Sequence, residues 1–241
     1  MHRFKLFCFP FAGGSASYYL NWKPYMKSGV ELIPVELPGR GSRISDPLCT
    51  TLEDMVEDAL KFVESRLDGS GYAFFGHSMG AMLAFELTHR IRQKGLALPA
   101  HLFFSGRRAP HLPPRLKGFA SMTPEEFKEA VLELGGTPAE LFESPELSEL
   151  FVPIMRNDFI LAESGIDLEG KEPFTMGLTV FIGKDEDILP EESEGWKLYS
   201  DKRCTIHYFK GGHFFLTEHT KEVIQLINLD LPKKPVRATL A

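Results

Sequence analysis

The sequence predicts an α/β fold: a mostly parallel central sheet with helices on both faces. Three observations predict it. Short apolar runs of strand length alternate with helical patterns along most of the 241 residues. Turn residues close several of these runs, as Pro38-Gly39 and Asp68-Gly69 do. One junction, Tyr72 to Phe75 followed by Gly76-His77-Ser78-Met79-Gly80, reads as strand, sharp turn and helix with a serine at the tip.

The elements follow in order. Leu6–Phe9 is a buried-strand candidate, and Val30–Leu37 is the next. Thr51 caps a helix in which Leu52, Met55, Val56, Ala59, Leu60, Val63 and Leu67 recur at helical spacing. Tyr72–Phe75 is the third strand, and Ala81–Lys94 is a helix ending near Gly95. His101–Phe104, Leu178–Ile182 and Thr205–Phe209 are the fourth, fifth and sixth strands, and Thr217–Leu229 is a final helix. Between about 111 and 175 the rhythm breaks. Pro110, Pro113, Pro114 and Pro124 open this stretch, Thr123 and Pro124 start a helix, and Leu134-Gly135-Gly136 stops it. The reading is several short helices inserted between two core strands, the usual form of a lid over the carboxyl ends of strands. The whole chain, 1–241, reads as a single domain with this lid insertion and a frayed tail at 231–241.

Composition bounds the function. The chain is 43% hydrophobic and 25% charged, an ordinary globular balance. Its net charge of −6 does not favour nucleic acid, whose phosphates demand a basic face. Three cysteines, Cys8, Cys49 and Cys204, are far apart and form no C-x-x-C pair, so neither a disulfide framework nor a metal site is expected. No run approaches 18 apolar residues, and the N-terminal apolar run is too short for a signal sequence. The expectation is a cytoplasmic monomer.

The Gly76-to-Gly80 turn carries the chemistry. A G-x-S-x-G pattern arises by chance in a chain of this length with a probability of about 0.1, so the flanking strand and helix carry the assignment. Glycines two before and two after Ser78 let strand and helix approach, and the turn aims the hydroxyl out of the sheet. A serine needs a base. His213, in Lys210-Gly211-Gly212-His213 just after the last strand, lies at the same sheet edge; His77 should point away from the hydroxyl, and His207 lies inside a strand. The acid should follow the penultimate strand, where Asp185, Glu186 and Asp187 are consecutive. Only one of them orients the imidazole, and the residues alone leave open which. The backbone N–H of Met79 is one expected oxyanion donor. Ala12, in the Gly-rich loop after the first strand, supplies the other, with Phe11 next.

Six ordered motifs then match a family: Phe9 to Gly14 (FPFAGG), Leu37 to Gly41 (LPGRG), Gly76 to Gly80 (GHSMG), Ser105 to His111 (SGRRAPH), Leu134 to Leu141 (LGGTPAEL) and Gly211 to Leu216 (GGHFFL). Together, from about residue 4 to 229, they resemble the type II thioesterases, discrete editing partners of non-ribosomal peptide and polyketide synthetases. The resemblance implies an α/β-hydrolase fold with a small helical lid. It also implies hydrolysis of acyl groups from the phosphopantetheine arm of acyl or peptidyl carrier proteins, with no metal or cofactor beyond the arm on the substrate. Ser78 and His213 match the family's nucleophile and base. The family's Gly-x-x-Asp register places Glu186 at the acid position. Asp187 is favoured, on side-chain type and its place before Ile188, with Asp185 as the alternative and Glu186 also left open. The basic run Arg107, Arg108, Arg115 and Lys117 is a candidate dock for acidic carriers. Rival readings are a medium-chain fatty-acyl carrier thioesterase, a small-ester esterase, and an inactive carrier-binding subunit.

Overall fold

Every residue of β1 (Phe4–Phe9) and of β3 (Tyr72–His77) is buried, as strands covered on both faces must be. The computed structural model describes residues 3–114 and 118–232. With β2 (Val30–Pro34), β4 (His101–Ser105), β5 (Gly177–Gly183) and β6 (Cys204–Phe209) they form one six-stranded sheet of order β2-β1-β3-β4-β5-β6. All five pairings are parallel, so the predicted parallel α/β architecture is what the chain adopts.

Side-chain alternation divides the core into two layers. Phe7 and Phe9 pack with Met55, Val56 and Leu60 of α1 (Leu52–Glu64) and with Met82, Phe85 and Leu87 of α2 (Met79–Gln93). Leu6 and Cys8 face the other way. There they meet Tyr19 and Trp22 of a 3-10 helix (Ala16–Tyr25), together with Val223, Ile224 and Ile227 of the C-terminal helix. Thr51 caps α1 by accepting the Asp54 N–H at 3.0 Å.

Several boundaries differ from expectation. The second strand ends at Pro34 rather than Leu37, because its partner β1 ends at Phe9-Pro10 and the register closes at Cys8–Pro34. α1 stops at Glu64, before Leu67. α2 begins at Met79, directly after Ser78. The insert between β4 and β5 holds α3 (Pro124–Leu134), α4 (Glu140–Glu143) and α5 (Pro145–Glu163). α5 has 19 residues and carries Pro153 inside it, so the expectation of short helices alone fails there. Thr123 closes a capping box at α3. Phe119, Phe127, Val131 and Met155 give the insert its own small core. After β5 and a short α6 (Pro190–Glu194), the predicted final helix is two helices, α7 (Phe215–Glu218) and α8 (Thr220–Asp230), broken at His219. The tail expectation fails at Leu231, which is 1% exposed with its carbonyl accepting from Lys27 at 2.7 Å. Residues 233–241 lie outside the described residues. In a parallel sheet, the segments that follow β1, β3, β5 and β6 all emerge at one edge. That edge gathers the site.

Candidate active site

Ser78 is strained. Its φ of 54° and ψ of −113° make it the one non-glycine residue with positive φ among the described residues. Such a conformation costs about 1–3 kcal/mol and persists only where its surroundings hold it. Here the Ser78 N–H donates to the Ser105 carbonyl at 2.8 Å, and the Ser78 carbonyl accepts from Ala81 at 3.1 Å. The flanking glycines are required by contact rather than by torsion. A Cβ on Gly76 would lie 2.1 Å from the Gly80 carbonyl oxygen, and one on Gly80 would lie 2.2 Å from that of Phe9. Strand, helix and β1 thus meet at van der Waals limits, and the turn lifts the serine onto the wall of a cavity of about 510 Å³.

His213 lines the same cavity. Gly211, at φ 109°, turns the chain back after β6. The His213 Nδ1–H donates to Glu186 Oε2 at 2.8 Å. Protonation at Nδ1 leaves the lone pair on Nε2, the tautomer a general base needs. The other Glu186 oxygen accepts the Gly183 N–H at 2.8 Å, and the Glu186 side chain is only 4% exposed. The Asp187 expectation is therefore corrected: the carboxylate on His213 is Glu186. The loop explains why. The Glu186 N–H donates to the Gly183 carbonyl at 3.2 Å, a tight turn that folds this side chain back under the strand ends. Asp187, one position on, is exposed. Asp185, the alternative, is also not on the ring. Its carboxylate accepts the Gly211 N–H at 3.1 Å and its own N–H donates to the Gly211 carbonyl at 3.0 Å, which ties the two loops together.

His77 points away from the cavity side of the turn, into the protein. It is fully buried and its Nδ1 shares a 3.0 Å hydrogen bond with the Ser105 hydroxyl. Its ring lies 4.8 Å from that of His213. Burial, then the neighbouring His213, pushes its pKa well below the ordinary histidine value, so it packs as a neutral ring.

Met79 is the first residue of α2, so its N–H has no acceptor within the helix and lies at the positive end of the helix dipole. Ala12 lies on the cavity wall. The next two N–H groups of its loop are committed: Gly13 donates to Asp158 at 2.7 Å and Gly14 to the Phe11 carbonyl at 2.8 Å. Leu134, Phe119 and Phe159 of the insert, with Ile166 and Ile188, give the cavity its apolar lining.

The basic run does not form an open patch where it is described. Arg107 turns inward, donating to the Ala162 carbonyl at 3.2 Å, and burial lowers its pKa to about 10. Arg108 pairs with Glu192 at 2.8 Å. Arg115 and Lys117 lie outside the described residues. Arg40 enters the sequence reading only as a member of the Leu37-to-Gly41 motif and Asp158 not at all, yet the two form a buried ion pair beside the Ala12 loop. One signal was available: Asp158 falls on the apolar face of α5, between Ile154, Met155 and Leu161.

The thioesterase domain model matches residues 4–231. Linear gramicidin dehydrogenase LgrE of Brevibacillus parabrevis is 35% identical, covering 94% of this chain and 87% of its own length. Gramicidin S biosynthesis protein GrsT of Aneurinibacillus migulanus is 33% identical, covering 93% and 88%. Among solved structures, ClbQ from the colibactin NRPS/PKS pathway superposes with a TM-score of 0.89 at 33% identity, over 95% of this chain and 96% of that one. With its sheet order, its serine turn and these likenesses, the chain belongs to the thioesterase family and has the α/β-hydrolase fold.

Proposed function

We propose that this protein hydrolyses acyl groups held as thioesters on the phosphopantetheine arm of carrier proteins, clearing mis-primed or stalled synthetases. One observation carries the reading: a strained Ser78 and a Glu186-oriented His213 face one apolar cavity. His213 Nε2 takes the hydroxyl proton as Ser78 attacks the thioester carbonyl. The Met79 and Ala12 amides hold the oxyanion. The pantetheine thiol leaves with the proton that His213 returns. Water, activated by the same ring, then releases the acid and frees Ser78. Glu186 fixes the tautomer and stabilises the imidazolium. The steps draw on side chains, amides and water, and the pantetheine arrives with the substrate.

Similarity to proteins of gramicidin S biosynthesis and of the colibactin pathway supports synthetase carriers as partners. The dehydrogenase in the LgrE name is not carried over, since the turn after β1 reads Phe9-Pro10-Phe11-Ala12-Gly13-Gly14 rather than the Gly-x-Gly-x-x-Gly of a dinucleotide site. The test is hydrolysis of an acyl-carrier protein beside the matched acyl-coenzyme A and nitrophenyl ester. Faster kcat/KM on the carrier, lost in Ser78→Ala, is expected. Carrier hydrolysis that survives Ser78→Ala overturns the reading, and a preference for the oxygen ester moves it to an esterase.

A further inference from the structure

The loop that holds Ala12 is not secured by the sheet. Pairing of β1 ends at Phe9 opposite Gly76, and residues 10–15 run on to the 3-10 helix without strand pairing. Phe11 is held by ring contacts with Tyr18, His77 and Phe214, and the Gly13-Gly14 turn beyond Ala12 is fixed by two side chains from elsewhere in the sequence. Asp158 on α5 accepts the Gly13 N–H at 2.7 Å. Arg40, from the loop after β2, donates to the Gly14 carbonyl at 3.2 Å. The two side chains also pair with each other through both carboxylate oxygens, with Arg40 Nη2 at 2.8 Å from Asp158 Oδ1. Arg40 is 4% exposed and Asp158 is 0% exposed. Gly13 completes the clasp. Its φ is 74°, and a Cβ there would lie 2.4 Å from the Met155 side chain of α5, so that side chain lies directly against the loop.

A buried ion pair is a poor way to gain stability, because desolvating both charges offsets their attraction, and an apolar pair of the same size would seat α5 as well. An apolar pair would not accept an amide from Gly13 and donate to the carbonyl of Gly14. We infer that Asp158, locked by Arg40, is a positioning residue: it sets the Ala12 amide where the oxyanion forms, and so makes the seating of α5 a condition of turnover. The inference rests on the reading of Ser78 as nucleophile and Ala12 as oxyanion donor. An amide displaced by about an ångström loses much of its effect on the transition state while ground-state binding changes little. The signature is therefore a fall in kcat at nearly constant KM.

Two double variants isolate the effect. Arg40→Met with Asp158→Leu removes the pair and the acceptor. Arg40→Met with Asp158→Asn removes the charges but keeps an oxygen for the Gly13 N–H. Both are compared with wild type on an acyl-carrier substrate, with Tm recorded for each. The expected result is a loss of about 10- to 100-fold in kcat for the leucine variant. KM should stay within about threefold, and the asparagine variant should recover most of the loss at a similar Tm. Equal kcat in the two folded variants, or a loss confined to KM, overturns the inference. If either double variant unfolds, Asp158→Asn and Asp158→Ala are compared in the same way, with the same split deciding. Ser78→Ala runs in parallel. Its inactivity with equal kcat in the pair overturns the positioning role alone, whereas activity in Ser78→Ala overturns the reading beneath it as well.

Discussion

Glu186 meets His213 at the ring's Nδ1 edge, with Oε2 accepting the Nδ1–H at 2.8 Å while Oε1 holds the Gly183 N–H at the same distance. One carboxylate thus orients the imidazole and is itself oriented by the end of β5. Glu186→Gln keeps the size of the side chain but offers the ring an amide that can present its NH2 instead of an acceptor. A fall of about 10²–10⁴-fold in kcat is expected, in line with loss of a triad acid. Asp187→Asn should stay within about threefold. Steady-state kinetics on one acyl-carrier substrate checks both, and a larger loss in Asp187→Asn would return the acid to that position.

Gly80→Ala should unfold the turn rather than merely slow it. The added Cβ would meet the Phe9 carbonyl oxygen at 2.2 Å and the Pro10 oxygen at 2.7 Å, and backbone atoms of a central strand have nowhere to go. A cost of about 3 kcal/mol or more is expected. Gly69→Ala is the control. Its φ of 82° makes alanine unfavourable, but nothing lies within 4 Å, so it should cost only about 1 kcal/mol. Urea unfolding of the two variants separates contact from torsion.

Gly136→Ala tests how the insert touches the base. Gly135 and Gly136 both have φ 76°, so alanine strains both alike. A Cβ on Gly135 meets nothing within 4 Å, whereas one on Gly136 lies 2.4 Å from the ring of Phe214. That ring packs edge-on against His213 at 5.2 Å and against Phe11 at 4.8 Å. Displacing it shifts the base and the start of the Ala12 loop together. Gly136→Ala should lose about tenfold or more in kcat/KM, and Gly135→Ala should lose far less at a similar Tm. Matching activities in the two variants would show that Phe214 yields without moving His213.

The sheet was legible because its strands are local signals. Tyr72 to Phe75 and Leu178 to Ile182 are continuous apolar runs, and buried parallel strands require such runs. Ser78 and His213 were legible as candidates for a related reason: Ser78 sits between glycines that close backbone contact requires, and His213 follows Gly211, whose φ of 109° turns the chain. The acid was not. Asp185, Glu186 and Asp187 are equivalent as composition, and a turn closed by the Gly183 carbonyl selects among them. The family register points to Glu186, whereas side-chain type points to an aspartate. Arg40 and Asp158 lie 118 residues apart, a separation at which no local pattern links two residues. Nor did the periodicity give α5 its length, since Pro153 reads as a boundary while the chain runs through it as helix.

His89 makes acid stability testable. Its ring is 4.5 Å from that of Phe174 and 4.7 Å from that of Phe85, and among the described residues its Nε2 has no hydrogen-bond partner. Burial, then Lys171 and Arg92, lowers its pKa from 6.5 to about 3. Burial lowers that of His101 to about 4. The folded state therefore keeps both rings neutral at a pH where the unfolded chain already binds protons. Their contribution is fully present above 6.5 and is lost progressively as pH falls toward the folded values. Wild-type urea midpoints should decline from pH 6.5 to pH 4. His89→Phe fills the same slot between two aromatic rings with a group that cannot titrate, so its midpoints should decline less over that window while matching wild type more closely above it. Parallel curves for the two proteins would mean that His89 accepts its proton in the folded state as readily as in the unfolded one.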